Sequence, residues 1–598
     1  MADTYSHTAD IIIVGAGVAG CVIASRLSAA QPNLKILLIE MGRDVRDDPA
    51  VRTPGIFMNN LVPGAPYSQF YVGEPSETQL GNSAIIPAGA CVGGGSAINW
   101  MVYTRGSMSD YDDWKNKYAN PGWGFDDLLP LFKKSEAYFG EGDASTHGSD
   151  GPLQVTYGGI VYKINLEWLE TASAFDGRPV VPDAQNFKTS NAFARWAKWI
   201  GKDGKRSDIA HGYLYPQMDR SSNITLLTKT RVSRVLFEGN KAVGVEYFTS
   251  ASDPPTLVRA AKMVIVTAGA LSTPQILERS GIGARVHLDS LGISVVADLP
   301  RVGEGYQDHL VLKAEYVREP DDSWREDVLR GTPEVMERLR KEYAEYGTGE
   351  LASNSIDAVA KVRPNEKELA ALGETFINSA WPYFERAEDK PVLWSAVVGS
   401  AMFPGGFPSG QYFATGGWMC YPLSRGRIHV RSKDVFEAGK FEPGLLSHEA
   451  DVAAGKWLYK RGREQARRMP SYRGEYAPMH PDFSADSEAA CKAGLGVGPV
   501  PLDAPEIVYT PEDEKVLEEW IRKTVTVSWH GLATCAMRPR ADGGVVSPRL
   551  DVYGTKQLKV ADLSICPSNV SANMYSTAVA MGEKAAQIIL EDLVAVSA

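Results

Sequence analysis

One stretch constrains this chain more than any other. An apolar run from Asp10 to Val14 opens directly onto Gly15-Ala16-Gly17-Val18-Ala19-Gly20. Its β-branched residues read as a buried strand. A helical stretch, Cys21 to Ala29, follows, and Leu34 to Glu40 reads as a second apolar strand. Strand, glycine turn, helix and strand in this order make a βαβ unit that cradles a dinucleotide. Gly15 permits the tight turn, Gly17 lets the backbone approach a pyrophosphate, and Gly20 lets the helix pack close to the strand. The helix start offers unpaired N–H groups and a positive dipole end to phosphates. Glu40 is placed to accept hydrogen bonds from ribose hydroxyls, which selects FAD or NAD over a 2′-phosphorylated cofactor. The unit by itself leaves FAD and NAD both open.

The rest of the composition narrows the class. A chain of 598 residues holds several domains or one with a large insertion. A net charge of -11 argues against a nucleic-acid partner. No apolar run approaches the roughly 18 residues that a membrane span needs, so no membrane partner is expected. The N-terminal residues lack the basic stretch and apolar core of a secretory signal. An intracellular location is expected, cytoplasmic or peroxisomal, although the final residues do not form a convincing peroxisomal tripeptide. Cys21, Cys91, Cys420, Cys491, Cys535 and Cys566 are scattered without metal-ligand spacing. That suits a reduced enzyme and no metal site.

A second glycine loop, Gly93-Gly94-Gly95-Ser96, runs into Ile98-Asn99-Trp100-Met101-Val102-Tyr103. Its backbone can lie against a flat or anionic ligand with no side chain between. This segment resembles the first signature of the glucose–methanol–choline (GMC) oxidoreductases, whose loop sits beside a flavin. Gly269 to Leu277, continuing to Ser280-Gly281-Ile282-Gly283, resembles the second signature, and Gly303 through Asp308-His309 a further family loop. The chain departs from the family at Gly305, where Asn is usual. The resemblance implies FAD. In choline oxidases a His in the glycine loop carries the flavin covalently, and Ile98 matches that position, so a non-covalent FAD is implied.

The C-terminal block extends the resemblance. Trp529-His530 matches the aromatic and catalytic His of the family's alcohol oxidases, and Asn573 matches the partner position, which is His or Asn across the family. Alcohol oxidation needs a base for the hydroxyl proton, and His suits that role near neutral pH. Asn573 is expected to orient the substrate hydroxyl, and it also suits a helix N-cap. Asp562 matches a second FAD contact. The resemblance further implies cofactor contacts at Gly94, Gly95, Ser96, Asn99, Val232, Leu563, Met574 and Thr577.

The implied fold is α/β and α+β. A Rossmann-like FAD-binding domain would comprise 1–165, 215–310 and 520–598. A substrate-binding domain with a mixed or antiparallel sheet and helices would comprise 166–214 and 311–519. Trp418, Tyr421, Leu423 and the segment Ser424–Val430 read as a strand of the platform sheet over the flavin. Residues 319–370 are charge-rich, helical in pattern and peripheral. The implied reaction is oxidation of a small primary alcohol to the aldehyde, with dioxygen reduced to hydrogen peroxide. Within the family the likeness is to fungal short-chain alcohol oxidases, and Trp100 and Trp529 are expected to narrow the substrate pocket. A dehydrogenase using a quinone or other acceptor shares every one of these motifs, and an oxidase of aryl or other larger alcohols stays open; the presence of both His530 and Asn573 argues against a non-catalytic FAD protein. Alcohol oxidases of this kind are commonly octameric, so a homo-oligomer is among the expectations.

Overall fold

Two seven-stranded sheets, each with its own apolar core, organise the chain. The computed structural model describes residues 7–320, 328, 331–401, 410–492 and 496–597. In the first sheet His7–Val14 lies between Ile36–Ile39 and Thr256–Val266, parallel to both. Ile224–Leu227 extends the parallel array at one edge. Lys241–Phe248 and Arg231–Glu238 continue the sheet antiparallel, and Leu558–Val560 pairs with the end of Thr256–Val266. Ile36–Ile39 is buried throughout, as a parallel strand covered on both faces must be.

The helix Val18–Ala30 starts immediately after Gly17. The helix Tyr575–Ser597 packs across it so closely that a Cβ on Gly582 would lie 2.9 Å from Val22 Cβ. Arg26 and Lys134 close this contact on the buried carboxylate of Glu583, at 2.6 and 2.8 Å. The C-terminal segment thereby becomes part of the N-terminal dinucleotide unit.

The second sheet is antiparallel, in the order Tyr472–Glu475, Leu310–Arg318, Tyr412–Met419, Leu393–Val398, Ala358–Val362, Ala192–Arg195, with Thr526–Val527 paired to Leu310 and Val311. Helices Lys163–Asp176 and Glu449–Ala466 cover one face. Among the described residues no helix is long and apolar enough to cross a membrane.

Several expectations need correction. The first helix begins at Val18 rather than Cys21, and the C-terminal helix at Tyr575 rather than near Ala578. Trp418 does lie in the platform sheet, but Gly426–His429 belongs to a separate three-stranded sheet with Glu304–Tyr306 and Lys440–Glu442. The turn at 422–425, pinned by Asp451 to the N–H groups of Leu423 and Ser424, redirects the chain out of the platform. The stretch 319–370 is not wholly peripheral. Pro333–Tyr346 and Glu366–Ser379 are helical, but Ala358–Val362 is a fully buried platform strand. Lys361 disguises it in the sequence: its ammonium is buried over the Trp394 ring. Residues 321–327, 329 and 330 of this stretch lie outside the described residues.

Candidate active site

The two glycine loops meet back to back. Gly93 N donates to Ala16 O at 2.8 Å, and a Cβ on Gly94 would sit 2.8 Å from Gly17 Cα. Gly15 adopts φ +104, which only glycine takes readily, and a Cβ there would lie 2.6 Å from Thr267 O. A Cβ on Gly20 would fall 2.0 Å from Gly15 O, so the helix can pack onto the turn only through glycine. Gly17 differs. Among the described residues a Cβ there would meet nothing nearer than Thr267 O at 3.9 Å, and one on Gly95 would meet no atom within 4 Å. These two bare backbone faces border open space beside a helix N-terminus, which suits close approach of a pyrophosphate.

Glu40 stands at the far end of the same cradle. Its carboxylate accepts from Ala16 N and Gly42 N, each at 2.9 Å. Burial nevertheless pushes the carboxyl up to about 7, so the group gains from further donors such as ribose hydroxyls. Thr230 N donates to Glu40 O at 2.9 Å, which brings the strand carrying buried Val232 alongside. The residues fit a dinucleotide with an unphosphorylated ribose.

Other cofactor candidates hold the loops in place. Asp562 accepts from Gly269 N and Thr273 Oγ1 through Oδ2, and from Ser564 N through Oδ1. Asn99 Oδ1 accepts from Met101 N and from Arg206 Nη1. Ser96 Oγ donates to Gly93 O and accepts from Ile209 N. Leu563 O accepts from Ala533 N, tying the Asp562 loop to the segment after His530. Met574 is buried at the start of the last helix, and Thr577 bonds Tyr111 at 3.0 Å. Arg206, absent from the sequence reading, is fully buried and also holds the carbonyls of Ser96 and Asn99. Its distance in sequence from the loop it supports gave no signal.

His530 and Asn573 come together from different segments. Asn573 Nδ2 lies 2.9 Å from His530 Nε2, and Asn573 Oδ1 is buried with no hydrogen-bond partner among the described residues. On its other side His530 Nδ1 lies 2.8 Å from His309 Nδ1. Asp308 Oδ1 accepts from the main-chain N–H of both histidines, at 2.8 and 3.0 Å. Burial, with His309 adding, pushes His530 well below its ordinary value. The imidazole is therefore neutral at neutral pH and has a lone pair to offer.

Aromatic rings wall the space. Trp100 packs on Trp529 with centroids 6.3 Å apart and on Phe57 at 5.1 Å, and Trp418 stands edge-on to His530 at 6.4 Å. Trp529 takes a left-handed backbone, φ 61. A non-glycine residue there is strained, and such strain concentrates at functional sites. The sequence pointed to no metal. Glu278, His287 and His429 converge, and His429 hydrogen-bonds Glu278 and Glu304.

The comparisons agree with this geometry. Family models for GMC oxidoreductase match residues 9–311 and 422–582. An alcohol oxidase of Pichia angusta is 38% identical, over 98% of this chain and 95% of its own. One of Candida boidinii is 36% identical over the same shares. Among solved structures, an FAD-dependent oxidoreductase from Chaetomium thermophilum superposes with TM-score 0.82 at 26% identity, covering 98% of this chain and 99% of its own. A dinucleotide cradle, a His–Asn pair brought together from distant segments and two matched family models lead to one assignment: the chain belongs to the GMC oxidoreductase family.

Proposed function

We propose that this protein is an FAD-dependent alcohol oxidase that converts a small primary alcohol to the aldehyde while dioxygen is reduced to hydrogen peroxide. The observation that carries the reading is the pairing of buried His530 with half-buried Asn573 at 2.9 Å beside the Trp100–Trp529 wall. The alcohol oxidases that match nearly the full chain support the substrate class. Gly15, Gly17, Gly20, Glu40, Gly94 and Gly95 hold the FAD, with Val232 and Asp562 beside it. Ile98 offers no nucleophile at the loop position, so the cofactor is held without a covalent bond there. The chemistry FAD supplies when bound is acceptance of a hydride and return of two electrons to dioxygen.

The chain's own residues manage the proton and the pose. His530 Nε2 takes the hydroxyl proton of the alcohol as hydride leaves the α-carbon. Asn573, with a free buried oxygen and an amide N–H, holds that hydroxyl within reach. The resulting imidazolium stabilises negative charge that develops as dioxygen is reduced. The tryptophan wall excludes water and limits substrate size. The discontinuous division into a cofactor part (1–165, 215–310, 520–598) and a substrate part (166–214, 311–519) follows from the same reading.

An alcohol panel assayed side by side with dioxygen and with dye or quinone acceptors tests the proposal. Stoichiometric peroxide under air, with short primary alcohols preferred, is expected. Turnover with dyes but no peroxide would overturn the oxidase reading, and a protein that cannot be loaded with FAD would overturn all of it.

A further inference from the structure

We propose that His309 is a positioning residue for the oxidation: by accepting the Nδ1–H of His530 it dictates which nitrogen of His530 is free to take the substrate proton. The inference rests on His530 being the base.

The assignment starts from one carbonyl. Val570 O lies 2.9 Å from His309 Nε2 and can only accept, so His309 Nε2 carries a proton. His309 is then either neutral, with its lone pair on Nδ1, or an imidazolium. Its ring is fully buried. The adjacent Asp308 carboxylate is occupied elsewhere, by two main-chain N–H groups and by the Tyr306 hydroxyl at 2.7 Å. Burial holds the His309 imidazole at about 4, so it is neutral at neutral pH. Its Nδ1 therefore accepts.

His530 Nδ1, at 2.8 Å, must be the donor. The remaining nitrogen, Nε2, is unprotonated; its lone pair accepts from the Asn573 amide at 2.9 Å and is given over to the hydroxyl when the alcohol binds. Hydrogen bonding at one ring nitrogen fixes the state of the other. When Nε2 takes the substrate proton, Nδ1–H keeps its donation to His309. That bond then becomes charge-assisted and strengthens. His309 touches neither substrate nor cofactor in this scheme and acts wholly through His530.

Three variants test it by anaerobic stopped-flow flavin reduction, with FAD content and thermal unfolding measured alongside. His309→Leu removes the acceptor and is expected to slow reduction about a hundredfold, within the range of general-base catalysis. His309→Asn, whose amide oxygen takes the place of Nδ1, should recover the rate to within about tenfold of the native enzyme. His309→Gln reaches Val570 but withdraws the acceptor from His530, and should behave as His309→Leu; it carries the test should the leucine variant not fold. Adding His309→Leu to His530→Ala should change the rate by less than about twofold, since coupled residues are not additive. A native rate in His309→Leu or His309→Gln, or an undiminished loss in the His530→Ala background, overturns the proposal. If His530→Ala alone reduces at the native rate, the base reading falls and this proposal falls with it.

Discussion

The cofactor cradle and the His530 pocket solve different problems with different materials. The cradle is main chain. Gly15, Gly20 and Gly94 are glycine because neighbouring backbone leaves no room, and Gly17 and Gly95 leave bare faces. The pocket is side chain. It draws Trp100, His309, His530 and Asn573 from four distant segments; the two histidines are buried, and Trp100 and Asn573 are half-buried. A backbone site tolerates little substitution but is written in one short stretch. A side-chain site depends on long-range folding and is adjustable residue by residue.

That contrast can be broken at several points. The largest effect is expected at His530. His530→Ala should slow anaerobic flavin reduction about a hundred- to ten-thousand-fold while FAD stays bound, because no cradle residue is touched; loss of flavin from the purified variant would show that the two regions are not separable. The cradle has its own internal test. Gly17→Ala fits the protein but intrudes on the approaching pyrophosphate, so flavin content should fall about tenfold or more with the melting temperature kept. Gly20→Ala collides with Gly15 O and should instead lower stability, by about 1–3 kcal/mol as overpacking does, read by thermal denaturation.

Smaller effects belong to the pocket. Because the folded pKa of His530 lies well below 6.5, the base stays unprotonated until the pH drops beneath its ordinary range. The acid limb of kcat/KM should therefore lie below pH 6.5. Asn573→Asp places a carboxylate at Nε2, raises the His530 pKa and should move that limb upward. The smallest change is expected from Trp100→Ser. Activity on longer alcohols should rise relative to ethanol in a graded way, since each methylene is worth about 1–3 kcal/mol; an unchanged ratio would make Trp100 a packing residue only.

The sequence was most legible where the physics is local. The βαβ unit, its glycines and Glu40 lie within one short span, and each has a role that spacing alone implies. His530 and Asn573 were found only through resemblance to a family, because nothing in their separate surroundings requires them to meet. His309 stood in a recognised loop without a role, since its meaning depends on Val570, far along the chain. The strand Ala358–Val362 was hidden by a buried lysine, and Gly426–His429 by a turn whose pivot, Asp451, lies outside the motif. Such pairings are tertiary, and periodicity does not record them.

The segment from Glu304 to Arg318 has a consequence for how this enzyme ages in use. It runs through the small sheet, past His309, and straight into the platform strand next to one edge, while Ser528 N and Val527 are bound to the same ribbon. The platform and the paired imidazoles of His309 and His530 thus share one mechanical member. Heat that frays the platform also unseats the imidazoles, so heat inactivation should run in step with melting of the antiparallel sheet. The same heating is expected to loosen the flavin as well, because Asn573 leads into the helix that packs on the dinucleotide unit and Ala533 is bonded to the Asp562 loop.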